Sequence, residues 1–303
     1  NRDTLFTPAP MGYFDIVTDP LNLAAERASV CMFLRGDLAS ARNAVVIEAT
    51  PADLLEKPES SRGAIPGWNG LAWVTKIGYA PKAQTNARNA IVLPLGWADA
   101  GRKQGRLADP FGADAGDKLI AEMRRRGWLA ASNPTTFEGP RFQSENGQLT
   151  IDAPADTLTI NTPRTAGGYA QDGGTIATDA VTVKIERTDA TVWVSSLDAN
   201  PISSSKRLLL THLTDLQNAN IRYGDLDRRL LLDWGGLPHL VLNGSATVTI
   251  RMKEADRARV WALSMGGRRL AQIQAAVKDG ALVVPLKVDA DGKARMIYEV
   301  EVP

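Results

Sequence analysis

Beyond Pro140 the chain is written in short runs of alternating apolar and polar residues, and this pattern constrains its fold more than any other feature. Gln148–Asp152 and Thr157–Asn161 flank a short turn, Ala153–Asp156, and read as a hairpin. Further strand candidates follow at 181–186, 192–197, 207–212, 240–242, 247–252, 259–263, 282–288 and 295–302. Turn signals fall between nearly all of them, among them Asp172-Gly-Gly, Asn243-Gly, Met265-Gly-Gly, Asp279-Gly and Asp291-Gly. Short strands at this spacing predict a β-sandwich. Val248, Ile250 and Met252 alternate with Thr247, Thr249 and Arg251, the period of a strand with one wet face.

The first half has a different texture. Asp19-Pro20 supplies an N-cap followed by proline at the first helical position. Leu21, Ala24, Ala25, Ala28, Cys31 and Met32 then recur at helical spacing, and Gly36 ends the run. Strands are expected at Ala44–Thr50, Leu71–Tyr79 and Ala90–Leu95, with loops such as Lys57–Gly67 between them, and a second helix at Ala115–Arg126. The fold class expected is therefore α+β and multidomain. A mixed α/β segment spans residues 1–140 and a mainly antiparallel β-sandwich region spans 141–303, with the boundary in the polar stretch Ser132–Gly147.

Charge and composition narrow the function classes. Lys plus Arg number 35 and Asp plus Glu 34, with 17 against 16 through residue 150 and 18 against 18 after it. No basic face or arm stands out, which argues against nucleic acid or an anionic membrane as partner. The single cysteine, Cys31, excludes an intrachain disulfide and lies on the apolar helix stripe as a small hydrophobe. No apolar run approaches the length of a membrane-spanning helix. The chain opens on Asn1 without a secretory leader, and further sequence is expected upstream.

Catalytic constellations are few. The two histidines, His212 and His239, have no metal-ligand spacing, so no metal or cofactor is expected. A triad assembled from Ser195 or Ser196 with His212 and Asp198 lacks a nucleophile-elbow signature, and His212 reads instead as a packed or edge residue. Asp289-Ala-Asp291-Gly292 matches half of a calcium loop but reads as a polar turn. The pairs Gly167-Gly168 and Gly173-Gly174 open no helix and precede no Lys-Ser or Lys-Thr, so they read as loop glycines. Arg35-Gly36-Asp37 spells an adhesion tripeptide but reads as a helix exit.

The seven tryptophans are the strongest ligand candidates, because exposed indoles stack on the apolar faces of sugar rings. Trp73, Trp193 and Trp261 sit in apolar strand patterns and are expected in the core, and Trp128 is expected to pack behind a helix stop. Trp68, Trp97 and Trp234 sit in glycine-containing loops and are the candidate carbohydrate contacts. Asp15 is the candidate for the rim of a cleft, while Asp19 serves as a helix cap.

Three groups of segments together carry a family resemblance. The first is Tyr13–Pro20, leading through Ala24–Arg27 to Phe33–Asp37. The second runs from Ser144-Glu-Asn-Gly-Gln-Leu149 to Asn161-Thr-Pro-Arg164. The third runs from Val194-Ser-Ser-Leu-Asp198 through Ser205–Leu209 and Asp233–Leu240 to Val260–Leu263. In this order they resemble the C-terminal half of large bacterial glycoside hydrolases with a cellulase-like TIM barrel. The resemblance implies that Asp19–Gly36 is the last barrel helix, whose apolar stripe would meet an upstream catalytic barrel. It also implies that the catalytic carboxylates lie upstream of Asn1, so no catalytic residue is assigned here. The implied role is a non-catalytic portion of a polysaccharide-degrading enzyme that buttresses the barrel and adds to glycan binding. Its partner would be a neutral polysaccharide or oligosaccharide, and its location secreted or periplasmic. The alternative is a stand-alone carbohydrate-binding module.

Overall fold

The computed structural model describes residues 20–56, 70–81, 89–94, 115–137, 139–226, 228–290 and 292–303. Asp15, Asp19, Trp68, Trp97, Asp291 and the loop 57–67 lie outside them. The described chain is a β-rich α+β fold with several antiparallel sheets. It divides into two compact units, Ala39–Leu158 on the one hand, and the residues up to Leu38 together with Thr159–Pro303 on the other.

Helix α1 (Pro20–Ser29) opens the described chain, and its last turn widens into a π-helical segment, Val30–Leu34. The Ser29 hydroxyl bonds back to the Ala25 carbonyl at 3.1 Å, a competition with the regular ladder that precedes the widening. Cys31 and Met32 are buried, as the apolar stripe predicts, and Gly36 leaves the helix at φ +73.

The Ala39–Leu158 unit holds strand β1 (Ala44–Glu48), helices α2 (Pro51–Glu56) and α3 (Leu71–Val74), strands β2 (Lys76–Ala80) and β3 (Ala90–Pro94), and helix α4 (Ala115–Arg125). The three strands are parallel in the order β2–β1–β3. Val45, Ile47, Ile91 and Leu93 share a core with Leu119, Ile120 and Met123 of α4 and with Trp128 and Leu129 beyond it. A hairpin of β4 (Arg141–Gln143) and β5 (Leu149–Asp152) completes the unit. The strand expected at 71–79 is half wrong. Leu71 and Val74 are buried three residues apart while Ala72 and Trp73 are exposed, so this stretch follows a helical period until Lys76. Trp73 is consequently 47% exposed and not a core residue.

The hairpin's turn explains one of the resembling motifs. Glu145 accepts bonds from the backbone of Arg42 and from Asn43 N at 3.1 Å. It also accepts from the Asn43 amide and the Thr75 hydroxyl, both at 3.1 Å. Asn146 donates to the Ala39 carbonyl, and Gln148 accepts from Ala39 N. The motif residues tie the entries of β1 and β2 to the hairpin.

From Thr157 the chain is almost wholly strand. β6 (Thr157–Asn161), β7 (Thr165–Ala170), β8 (Thr175–Ala177), β9 (Val181–Arg187), β10 (Ala190–Ser196) and β11 (Arg207–Leu213) come first. An arm follows, built from β12 (Leu216–Ala219), β13 (Arg222–Tyr223), β14 (Leu231–Asp233) and β15 (Gly236–Val241). Then come β16 (Ser245–Ile250), β17 (Arg259–Leu263), β18 (Arg269–Ile273), β19 (Ala276–Lys278), β20 (Ala281–Lys287), β21 (Asp289–Ala290), β22 (Lys293–Ala294) and β23 (Ile297–Glu301). One sheet of the unit runs β18–β17–β23–β11–β10–β7–β6 and the other β19–β20–β16–β9–β8.

One buried cluster draws on both sheets. Val192, Val194, Leu208, Leu210, Val260, Tyr298 and Val300 come from the first; Val183, Ile185, Val248, Ile250, Val284 and Leu286 come from the second. The Tyr298 hydroxyl crosses to donate to the Lys287 carbonyl at 2.7 Å. Buried in this way, its pKa is pushed up to about 12. The alternation in β16 has its expected cause, with Thr247 and Thr249 facing away from the cluster. The first sheet differs because α1 covers its other face. Ala24, Leu21 and Ala25 pack on Leu209, Leu213, Trp261, Leu263 and Ile297. β11, covered on both sides, is buried at Leu208 and from Leu210 to Leu213 with no exposed face between them. The stripe expected to meet an upstream barrel is occupied by this unit's own sheet.

Gly167 and Gly168 are strand residues of β7, not loop glycines. Gly167 sits opposite Trp193 at φ +139, and a Cβ there would lie 2.1 Å from the Val192 carbonyl oxygen. Contact with backbone cannot be relieved by a rotamer change. Gly167→Ala should lower unfolding stability by about 2 kcal/mol or more in urea titrations, whereas Gly173→Ala in the neighbouring turn, with open space around it, should cost less.

Candidate functional site

The arm between β11 and β16 brings together the described features that suit a ligand. β12 pairs antiparallel with β15, and the register shifts between Asn218 and Ala219. At that shift the Asn218 amide is held at both ends. Its nitrogen donates to the Trp234 carbonyl at 3.0 Å, and its oxygen accepts from His239 Nδ1 at 2.9 Å. These two bonds fix the orientation of the amide and the tautomer of His239. The Leu237–Pro238 peptide beside it is cis.

A groove of about 380 Å³ runs along this pairing, lined by Asp215, Gln217, Asn218, Asn220, Arg228 and Leu240 with their neighbours. Asp215 takes a bond from the Gln217 amide at 3.1 Å and from the Arg228 guanidinium at 2.6 Å. The lining therefore combines planar amide, carboxylate and guanidinium groups, already braced against each other, with apolar Leu240 and Leu242. Such a mixture supplies directed donors and acceptors above an apolar floor. Trp234 is 41% exposed and is joined to the groove through Asn218, although its ring is not part of the lining. Of the tryptophans singled out in loops, Trp234 is the one within the described residues; Trp68 and Trp97, like the rim candidate Asp15, fall outside them. Gln217 and Asn218 carry no motif. Their only signal is a polar pair placed between Leu216 and Ala219 in a strand-like run.

The hydrolase constellations dissolve into structural roles. The Ser195 hydroxyl lies 2.9 Å from that of Thr165, and Ser196 donates to the Asp198 carbonyl at 3.0 Å. Burial alone pushes the Asp198 carboxylate up, but donors from Lys206 N and Asn200 N prevail and hold it below its ordinary value. It closes the loop between β10 and β11. His212 is fully buried near the C-terminal end of β11, and neither ring nitrogen has a partner. Trp128 and Trp193 are buried as expected, while Trp261 is partly buried under Arg269, whose guanidinium lies 5.1 Å from the ring centre. Among the described residues no three His, Cys, Asp or Glu side chains gather as a metal set, and no helix is long and apolar enough to cross a membrane.

Arg35-Gly36-Asp37 is a latch and not a displayed tripeptide. Asp37 is buried; Arg35 Nε donates to it at 2.9 Å and the Thr165 hydroxyl at 2.7 Å, and Arg164 lies 3.6 Å away. Burial by itself raises the Asp37 pKa, but these donors and cations hold it below the ordinary carboxylate range. A second Arg35 nitrogen donates to the Ser196 carbonyl, so the helix exit is fastened to the ends of β7 and β10.

No family model, curated protein or solved structure matches the chain.

His212 gives a pH signature. Burial pushes its pKa down to about 4, below the ordinary histidine value, so the unfolded chain takes up a proton first. Stability from the neutral imidazole is complete above about pH 6.5 and declines as pH falls toward about 4, by about 3 kcal/mol in all. His212→Leu should flatten this part of the stability–pH curve, as read by urea unfolding between pH 4.5 and 7. Loss of stability with an unchanged slope would contradict the assignment.

Proposed function

We propose that this chain is the non-catalytic, glycan-binding portion of a polysaccharide-degrading glycoside hydrolase. The observation that carries this reading is the polar groove along β12 and β15 beside the half-exposed Trp234. Sugars require hydroxyl-directed donors and acceptors next to an apolar platform, and the groove offers Gln217, Asn218, Asn220 and Arg228 next to Leu240 and Leu242, with the Trp234 backbone bonded to Asn218. The two antiparallel sheets are read as a β-sandwich accessory domain, joined to the α/β domain that the first half of the chain builds. A secreted or periplasmic location follows from the same reading.

A second reading, a stand-alone carbohydrate-binding module, is favoured by one observation: the apolar stripe of α1 is already covered by the sheet of its own unit. A barrel, where present, would have to dock elsewhere. Both readings place the ligand in the same groove.

Affinity electrophoresis of residues 1–303 in gels containing β-glucan, xylan or mannan tests the proposal. Retardation in at least one gel is expected, with a tenfold or greater loss of affinity on Trp234→Ala and on Asn218→Ala. Unretarded migration in every gel, or retardation that both variants keep, would overturn it.

A further inference from the structure

The ladder between β12 and β15 breaks beside the groove. Gln217 faces Leu240 and Asn218 faces His239, but Ala219 faces Gly236, so Leu237 and Pro238 have no residue opposite them. Pro238 has no N–H to offer a ladder, and Leu237 stands out into solvent, 78% exposed. The Asn218 side chain closes this gap. Asn218 is buried, donates at one end to the Trp234 carbonyl and accepts at the other from His239.

Only one arrangement of protons satisfies both bonds. A carbonyl oxygen can only accept, so the amide nitrogen is the end that meets Trp234. The amide oxygen is left for the ring and also only accepts, so His239 Nδ1 carries the hydrogen whether the ring is neutral or charged. A ring nitrogen without its hydrogen would meet the oxygen lone pair to lone pair. The amide is thus held against rotation by a residue that does not itself line the groove, whereas Asn218 does. After these two bonds the amide keeps one N–H as its remaining donor.

We propose that His239 is the positioning residue of the glycan groove, and that it makes Asn218 a donor to a sugar oxygen, either a hydroxyl or the ring oxygen. The assignment rests on reading the groove as a glycan site. His239 acts at one remove: Nδ1–H pins the amide oxygen, and the pinned amide holds the Trp234 carbonyl and with it the loop between β14 and β15. Without that donor the amide is free to turn over. Turning sets oxygen against the Trp234 carbonyl oxygen and exchanges the donor offered to the ligand for an acceptor. A residue that merely stapled the break in the ladder would change stability and leave the affinity of the folded chain alone.

Substitutions at His239 separate the two roles. Asparagine carries an amide nitrogen close to where Nδ1 stood, glutamine carries it near Nε2, and leucine carries none. In the free chain at about pH 8, where histidines are ordinarily neutral, long-range ¹H–¹⁵N spectra should show His239 protonated on Nδ1. His239→Leu should move the Trp234 indole resonance, and His239→Asn should leave it in place. In affinity electrophoresis His239→Asn should bind within about threefold of the unaltered chain, whereas His239→Gln and His239→Leu should lose about tenfold or more. Rescue by asparagine is a result that misfolded variants could not give. Protonation on Nε2, or an Asn variant as weak as the Leu variant, would overturn the proposal. A Leu variant of full affinity would do so too, and if Trp234→Ala has lost binding the glycan reading stands without it. If no gel retards the unaltered chain, the glycan reading fails and the proposal with it. Spectra as expected would then place that failure in the ligand and not in the hold of His239 on Asn218.

Discussion

Burial of one apolar face from each of two antiparallel sheets is the constraint on which the Thr159–Pro303 unit depends. Val183, Ile185, Val248, Ile250, Val284 and Leu286 meet Val192, Val194, Leu208, Leu210, Tyr298 and Val300 in one cluster. Each buried side chain contributes roughly 1.5–3 kcal/mol, so the cluster as a whole outweighs any polar contact in the unit. The polar contacts decide alignment instead. Tyr298 bonds across to Lys287, and Asp37 gathers Arg35, Arg164 and Thr165 where α1 gives way to the strands. A buried carboxylate among two guanidiniums adds little net stability but strongly penalises other placements of the helix exit, because misplacement would leave a charge unpaired.

The covering of the first sheet by α1 has consequences along the chain. It leaves β11 without a wet face, gives Glu299 a buried outer position between Arg207 and Arg269, and exhausts the apolar stripe of the helix. In the arm, Leu226, Leu230, Leu232 and Leu237 are exposed, and Leu240 and Leu242 line the braced polar groove.

Much of this architecture was legible in the residues. Alternation in 247–252 named the buried face of β16, and the helix stripe named Cys31 and Met32 as buried. Failures came where two signals compete. Leu71–Val74 is apolar in either period, and only the pairing of Leu71 with Val74 at a spacing of three reveals the helix that exposes Trp73. Gly167-Gly168 looks like a loop because glycine is rare in strands, yet the close approach of the Val192 carbonyl is what excludes a side chain. The partner of the α1 stripe could not be read at all, since an apolar stripe specifies burial but not what buries it. The groove was equally hidden: Asn218 becomes a site residue only when the β12–β15 register brings it to Trp234 and His239.

The central claim is that the groove beside Trp234 holds a glycan. Titrating ¹⁵N-labelled chain with an oligosaccharide cut from the retarding polysaccharide tests it most directly, because the seven indole N–H groups and the side-chain amides report separately. The account predicts saturable shifts of the Trp234 indole and of the Gln217, Asn218 and Asn220 amides, with the buried Trp193 indole unmoved. Shifts confined to other tryptophans, or none at saturating sugar, would contradict it.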